Sequence, residues 1–273
     1  MCGIVGFFGS DLPNQGEVTN ILSTIVHRGR NDTGYIRQQN FVLGHNRLSI
    51  MDVEGGHQPL HDPESQLYTI ANGEIYNYPQ WYDHLKDGYS FATRSDTEIL
   101  PPLYQQFSCE LVQKLDGMFS FILGNAEEFF VARDRIGIKP LYYIQDDNNL
   151  IFASEIKALI HYQGQIKEFP QAHYYHSAQG LQSYYSLPQS NSFLQDIDLI
   201  LDKIRQGLSQ SVRKRLMSDV PVGVFLSGGL DSSIIAWLMK QNVEKLHSFS
   251  VGFPNSTDLK AARLVAEYLG TIQ

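Results

Sequence analysis

Apolar residues run almost unbroken from Ile4 to Phe8, and then the period changes. Val18, Ile21, Leu22, Ile25 and Val26 recur at i, i+3, i+4, i+7 and i+8, so a buried strand followed by an amphipathic helix is expected. From Phe41 to Phe152 the pattern breaks into short strand-like runs: FVLGHNRLSIMD, QLYTIANG, MFSFILGN, EFFVARD, PLYYI and NLIFAS. Gly, Asn and Asp turns separate them, which predicts a sheet-rich core. One helix signal interrupts this series at Ser95-Asp96-Thr97-Glu98, a capped start with acidic residues in the first turn. Pro101 and Pro102 follow, and because a proline inside a helix costs roughly 3 kcal/mol, a kink or a late start is expected.

Between Tyr184 and Gln195 the chain becomes polar and turn-rich, which marks a linker over 187–195 between a domain at 1–186 and another at 196–273. Beyond it, Ile197, Leu201, Ile204, Leu208, Val212 and Leu216 recur at helical spacing. A strand at Val222 to Leu226, a Gly/Ser loop, a helix through Ile234 to Met239, a strand at Leu246 to Phe253 and a helix from Asp258 to Leu269 then follow. Alternating strands and helices predict a parallel sheet.

Charge and cysteine content narrow the partners. With 29 acidic against 21 basic residues, a formal charge of -8 and no Lys/Arg run, the chain has no electrostatic footprint for nucleic acid or an anionic membrane. The two cysteines, Cys2 and Cys109, exclude a disulfide framework and fit a reducing compartment, so the cytoplasm is the expected location. The start lacks a secretory signal pattern, and no segment offers ~20 apolar residues to span a bilayer. Cys109 reads as a buried small hydrophobe, and His173 and His176 as sheet-edge residues. His57 and His61 flank Gln58-Pro59-Leu60, where proline denies the helix that a metal-binding pair would use, so a loop role is expected.

Two segments carry chemistry. Removal of Met1 would leave Cys2 with a free α-amino group, which titrates near ~8 and can take the thiol proton without a histidine. Ser227-Gly228-Gly229-Leu230-Asp231-Ser232-Ser233 lies between an apolar strand and a helix, where converging amides and the helix N-terminus make a phosphate cradle. It is not a Walker A loop, because no Gly-Lys-Ser/Thr ending follows.

These segments stand among others that, in this order, resemble glutamine-dependent asparagine synthetase of the bacterial type. They are MCGIVGFFG at the front, HRG at 27–29, NRLSIMD at 46–52, NGEIYN at 72–77, SDTE at 95–98, LDGMFSF at 115–121, ARDRIGIKPLYY at 132–143, ASEIKAL at 153–159, MSDVPVGVFLSGGLDSS at 217–233 and LHSFSVGFPNSTDLKAA at 246–262. The resemblance implies an α+β N-terminal-nucleophile hydrolase fold, an αββα sandwich, followed by the beginning of an α/β parallel-sheet ATP-pyrophosphatase domain. It also implies that Cys2 attacks the side-chain carbonyl of glutamine, and that Asn72 and the Gly73 amide hold the oxyanion. Arg47 would clamp the α-carboxylate, Asp96 the α-ammonium, and Glu74 with Leu48, Ser49, Ile50 and Met51 would complete the pocket. In the second domain Ser227, Gly228, Gly229, Leu230, Asp231 and Ser232 would bind ATP phosphates. Leu226 and Val251 would flank adenine, and Asp231 would help to hold Mg²⁺. ATP enters as a substrate, with no organic prosthetic group. The family activates aspartate as an acyl-adenylate that ammonia, carried through an internal channel, converts to asparagine.

Two departures from the pattern matter. Arg30-Asn31 stands where the family has Pro-Asp, which predicts a less rigid loop beside the glutamine pocket. The family's second domain continues past the position of Gln273, so this chain by itself is not expected to make asparagine; a complementary chain or a second copy is an expected partner. Three other readings stay open: a glutaminase with a vestigial ATP site, a non-catalytic assembly module, and a related ligase such as a β-lactam synthetase.

Overall fold

Burial of the first strand on both faces organises the larger part of the molecule. The computed structural model describes residues 1–146, 148–189, 193–254 and 256–273, divided into two compact units, Met1–Pro188 and Gln189–Gln273. In the first unit the strands are β1 (Gly3–Gly9), β2 (Asp32–Arg37), β3 (Phe41–Arg47), β4 (Leu60–His61), β5 (Tyr68–Ile75), β6 (Gly117–Gly124), β7 (Phe129–Arg133), β8 (Tyr142–Gln145), β9 (Asn149–Ala153), β10 (Lys167–Glu168), β11 (His173–His176) and β12 (Gly180–Ser183). The helices are α1 (Gln15–Thr24), α2 (Tyr78–Leu85), α3 (Leu100–Phe107) and α4 (Leu111–Lys114).

The strands form two antiparallel sheets of six, in the orders β10-β8-β9-β1-β3-β2 and β12-β11-β7-β6-β5-β4. Alternation along β1 sends Ile4 and Phe8 into a core with Ile70, Ile122 and Val131 of the facing sheet, while Val5 and Phe7 pack on the other face with Val18 and Leu22 of α1. A capping box between Asn14 and Glu17 starts α1. On the outer face of the second sheet, Ile99, Leu103 and Leu111 pack over Ala71, Phe119 and Phe121. The result is the αββα sandwich of an N-terminal-nucleophile hydrolase.

Several local features depart from expectation for physical reasons. The helix signal at Ser95 begins as a 3-10 turn, Asp96–Ile99, and α3 starts only at Leu100 with prolines in its first turn, where their missing amide donors go unused. Helices α2 and α4 were not anticipated; α2 is short and half-buried, yet Pro79 in its first turn is a usable start signal. The strand carrying His173 and His176 is not an edge, since it pairs with both β12 and β7. His176 is buried there, its Nε2 3.1 Å from the Tyr104 hydroxyl and 3.2 Å from Glu128. Cys109 is half-buried beside the core, with Sγ 3.9 Å from Gln179. His57 lies in a loop and pairs with Asp32 at 2.6 Å, whereas His61 stacks on Tyr68.

The second unit contains α5 (Ile197–Lys214), β13 (Gly223–Phe225), α6 (Leu230–Lys240), β14 (His247–Phe249) and α7 (Thr257–Leu269). The two strands pair in parallel and are shorter than the apolar runs that announced them, because residues beyond the paired positions have no neighbouring strand among the described residues. Val224, Leu226, Ala236, Leu246 and Ala262 form its core. The expected linker at 187–195 includes Ser190, Asn191 and Ser192, which lie outside the described residues.

Asp134, only 1% exposed, anchors the loop after β7 by accepting from the amides of Phe119, Ile136, Ile138 and Lys139 at 2.9–3.3 Å. Its removal strands four backbone donors. Asp134→Ala is therefore expected to lower unfolding free energy by about 3–5 kcal/mol, as read by urea titration; a midpoint within error of the unsubstituted chain would contradict this role.

Candidate active site

Strand pairing carries the first residues of the chain to the mouth of the sandwich. Gly3 registers against Asn46 of β3, so Cys2 falls beside Arg47 and the loop that follows it. The Leu48 amide lies 3.4 Å from the Cys2 sulfur, and the Arg28 Nε donates to the Cys2 carbonyl at 2.8 Å. A cavity of about 30 Å³ opens here, lined by Cys2, Arg47, Leu48, Ile50, Met51, Gly73, Glu74 and Asp96. Gln58, Ala71, Ser95 and Thr97 also line it. These last four were not singled out from the sequence. Gln58 is held because its Oε1 accepts from the Ala71 amide at 2.7 Å, a long-range bond that no local motif announces.

That space holds a water molecule but not an amino acid, so glutamine-sized ligands need the covering loop to move. Arg47 governs that loop. Its guanidinium donates to the carbonyls of Met51, Asp52 and Val53 at 2.6–3.2 Å rather than pointing into open space. Ser49 does not line the cavity; its amide donates to Asn31 Oδ1 at 3.1 Å, and the Asn31 amide donates to the Arg47 carbonyl at 3.0 Å. Asn31 thus restrains the loop that the loss of proline was expected to loosen.

Asn72 is fully buried on β5, and neither its Nδ2 nor its Oδ1 has a hydrogen-bond partner. Burying an amide unpaired costs on the order of 1–3 kcal/mol by protein substitution data, so the position is unfavourable until something bonds to it. Asn72 and Glu74 share one face of the strand, at i and i+2. Gly73 between them has no room for a side chain, since a Cβ would meet the Met118 carbonyl at 2.2 Å.

Electrostatics at the site are set by burial. The Cys2 thiol is pushed up by loss of solvent, against the pull of the Leu48 amide and the nearby α-amino group. Burial lowers that amine, which belongs to Met1 in this structure. A neutral thiol beside a readily unprotonated amine suits proton transfer at the moment of attack. Burial raises Glu74, with the Asp96 carboxylate adding to the effect. Burial also raises Asp96, although the Ile75 amide donates to its Oδ2 at 2.7 Å. Lys139, which is buried, brings a cation to the same group.

In the second unit Leu226, Ser227 and Val251 line a cavity of about 330 Å³ together with Phe225, Phe249, Ser250, Asp258 and Leu259. Gly228 to Ser232 form the adjoining start of α6, whose Gly229 cap makes no side-chain hydrogen bond to the first amides. Ser227 and Ser232 hydroxyls are 2.9 Å apart, and Gly228 (φ +78°) sits where a Cβ would strike the backbone of Ala261 and Ala262 at 2.5 Å. Asp231 is exposed in the first turn. Among the described residues no three His, Cys, Asp or Glu side chains gather as a metal site. One carboxylate fits Mg²⁺ delivered with nucleotide phosphates rather than a cage for a bare ion.

Residues 1–212 match the family model described as a glutamine amidotransferase domain, and 203–273 the one described as asparagine synthase. Asparagine synthetase B [glutamine-hydrolyzing] of Escherichia coli is 41% identical over 297 aligned residues, covering 100% of this chain and 53% of that protein. Asparagine synthetase [glutamine-hydrolyzing] 2 of Arabidopsis thaliana is 39% identical, covering 99% and 50% respectively. The chain thus spans about half the length of the curated relatives it matches. Among solved structures, glutamine phosphoribosylpyrophosphate amidotransferase from B. subtilis superposes with a TM-score of 0.58 at 18% identity, covering 100% of this chain and 65% of that one; this likeness shows a shared fold.

Raised carboxyl groups bind protons in the folded chain that the unfolded chain has released. Their contribution is therefore largest below the ordinary carboxylate value near ~4 and is lost as pH rises through the raised values. Glu74→Gln should flatten the fall in urea midpoint between roughly pH 5 and 8; an unchanged slope would show that Glu74 is ordinary in the folded state. Cavity, strand register and family matches agree, and the chain belongs to the glutamine amidotransferase family, with residues 203–273 matching an asparagine synthase domain.

Proposed function

We propose that this chain hydrolyses glutamine at Cys2 and delivers ammonia to an ATP-dependent site that begins within residues 196–273. The complete reaction would convert L-aspartate, L-glutamine, ATP and water to L-asparagine, L-glutamate, AMP and diphosphate. The proposed division is a glutaminase domain at 1–186, a linker at 187–195 and the start of the synthetase domain at 196–273. Glutamine, ATP and aspartate are the small-molecule partners, and the cytoplasm is the proposed setting.

The observation that carries the reading is Asn72, an amide sealed into the interior with nothing to bond. A tetrahedral oxyanion beside Cys2 would be its missing partner, with the Gly73 amide as second donor. Removal of Met1 gives Cys2 its own amine, which takes the thiol proton as sulfur attacks the glutamine side-chain carbon. Collapse of the adduct expels ammonia, which takes the proton back from the amine, and leaves a glutamyl thioester. Water then attacks that thioester, releasing glutamate and restoring the thiol.

Asp96 and Glu74 would receive the substrate α-ammonium, whose charge offsets the cost of holding two carboxylates in one buried pocket. Arg47 spends three donor contacts on the loop carbonyls, leaving N–H groups for the substrate carboxylate once the loop moves. In the second unit Ser227 to Ser232 and the start of α6 would hold the ATP phosphates, Leu226 and Val251 the adenine. Asp231 would hold a phosphate-bound Mg²⁺, whose role is to neutralise phosphate charge.

Glutamate release from glutamine tests the reading. Cys2→Ala should abolish it, and Asn72→Ala should lower kcat by roughly 100-fold to 1000-fold with little change in KM. Release that survives Cys2→Ala would overturn the assignment.

A further inference from the structure

Lys139 is a buried cation that the proposed mechanism does not use. It is 6% exposed and lies in the loop between β7 and β8, which is pinned on both sides of it. Its amide donates to Asp134 Oδ2 at 3.0 Å, and its carbonyl accepts from Arg133 Nε at 2.7 Å. Arg133 also donates to the Gly137 carbonyl at 3.1 Å, and Asp134 accepts from the amides of Ile136 and Ile138. The backbone from which this side chain departs is therefore fixed, and the side chain itself is buried. Among the described residues its Nζ makes neither a hydrogen bond nor an ion pair.

Asp134 Oδ2 accepts from the amides of both Lys139 and Phe119, and Phe119 registers against Gly73, so the backbone sets Lys139 beside the stretch of β5 that carries Glu74. The charges facing Lys139 come from several elements. Ahead of β1 are the Cys2 thiol and the Met1 amine; β5 contributes Glu74; the 3-10 turn Val26–Arg28 contributes Arg28; its own loop contributes Asp134. Asp96 stands behind Glu74. Arg28 is already committed, with Nη1 on Glu155 at 3.0 Å and Nε on the Cys2 carbonyl at 2.8 Å. Glu155 also draws in His27 and Lys157. Arg47 likewise has its donors on the Met51, Asp52 and Val53 carbonyls, so among the described residues Lys139 is the cation of the site whose charged head has no hydrogen-bond partner. An ammonium desolvated and left unpaired is costly, and an anion appearing at Cys2 would relieve that cost.

We propose that Lys139 is a positioning residue of the glutamine site, a fixed counter-charge that eases formation of the Cys2 thiolate and favours ionisation of Glu74 when the substrate amine arrives. Its purpose rests on the glutaminase reading, but its coupling to Cys2 is a property of the thiol and is measurable without turnover.

The test is the pH dependence of Cys2 alkylation by iodoacetamide in the full chain, followed by mass spectrometry of the N-terminal peptide so that Cys109 is read separately. Lys139→Met should move the Cys2 profile upward by about one pH unit, a ~10-fold slower reaction near neutrality, while Lys139→Arg stays near the unsubstituted profile. The Cys109 profile should not move. Circular dichroism establishes that each variant is folded; should Lys139→Met fail, Lys139→Gln keeps a polar head and reads the same shift. Coincident profiles for the unsubstituted chain and the neutral variant would overturn the proposal. A displacement in Lys139→Arg equal to that in Lys139→Met would also overturn it, since packing rather than charge would then be responsible. Absence of glutamate release with the shift intact would sink the glutaminase reading and leave the coupling standing.

Discussion

The pairing of β1 between β3 and β9 is the constraint on which the site depends. A strand buried on both faces in the middle of a sheet cannot slip by one residue without exchanging its two sets of side chains, Ile4 and Phe8 for Val5 and Phe7. That register fixes Gly3 against Asn46 and hence Cys2 against the start of the Leu48 loop. Chain ends ordinarily fray, but this segment runs directly into a buried strand, which holds Cys2 against the Leu48 amide.

The same interior that fixes the thiol makes the site electrostatically tense. Two carboxylates, a thiol, an amine and a lysine share a region with little water, and burial opposes the charged form of each. An unpaired amide at Asn72 adds to the cost. Such groups lower stability unless a ligand completes them, and an amino-acid substrate carries the complementary ammonium and carboxylate. The small cavity fits a resting state in which Arg47 binds the Met51, Asp52 and Val53 carbonyls and leaves no room for an amino acid.

Much of this was legible in the sequence. Ile4 to Phe8 was readable because burial on both faces leaves an unbroken apolar run, and the second unit because a strand, a glycine-rich turn and a helix follow one another. Cys2, Arg47, Glu74 and Asp96 were marked by family motifs, and the structure gathers them around one cavity. Helix α2 escaped because its apolar residues only partly bury, which weakens its period. His176 was misread because tyrosines around it disguised an internal strand as an edge. Gln58 had no sequence signal, and Lys139 was hidden inside the ARDRIGIKPLYY segment, because what matters for each is a neighbour distant along the chain: the Ala71 amide for Gln58, and Cys2 and Glu74 for Lys139.

The central claim is that the first thiol of the chain is the nucleophile, and it is tested most directly by peptide mass spectrometry after brief exposure to glutamine and an acid quench. The account predicts an N-terminal peptide that has lost Met1 and, in a fraction of molecules, carries a glutamyl thioester on Cys2. A peptide that retains Met1 and never carries the adduct, in a sample that is folded, would contradict it.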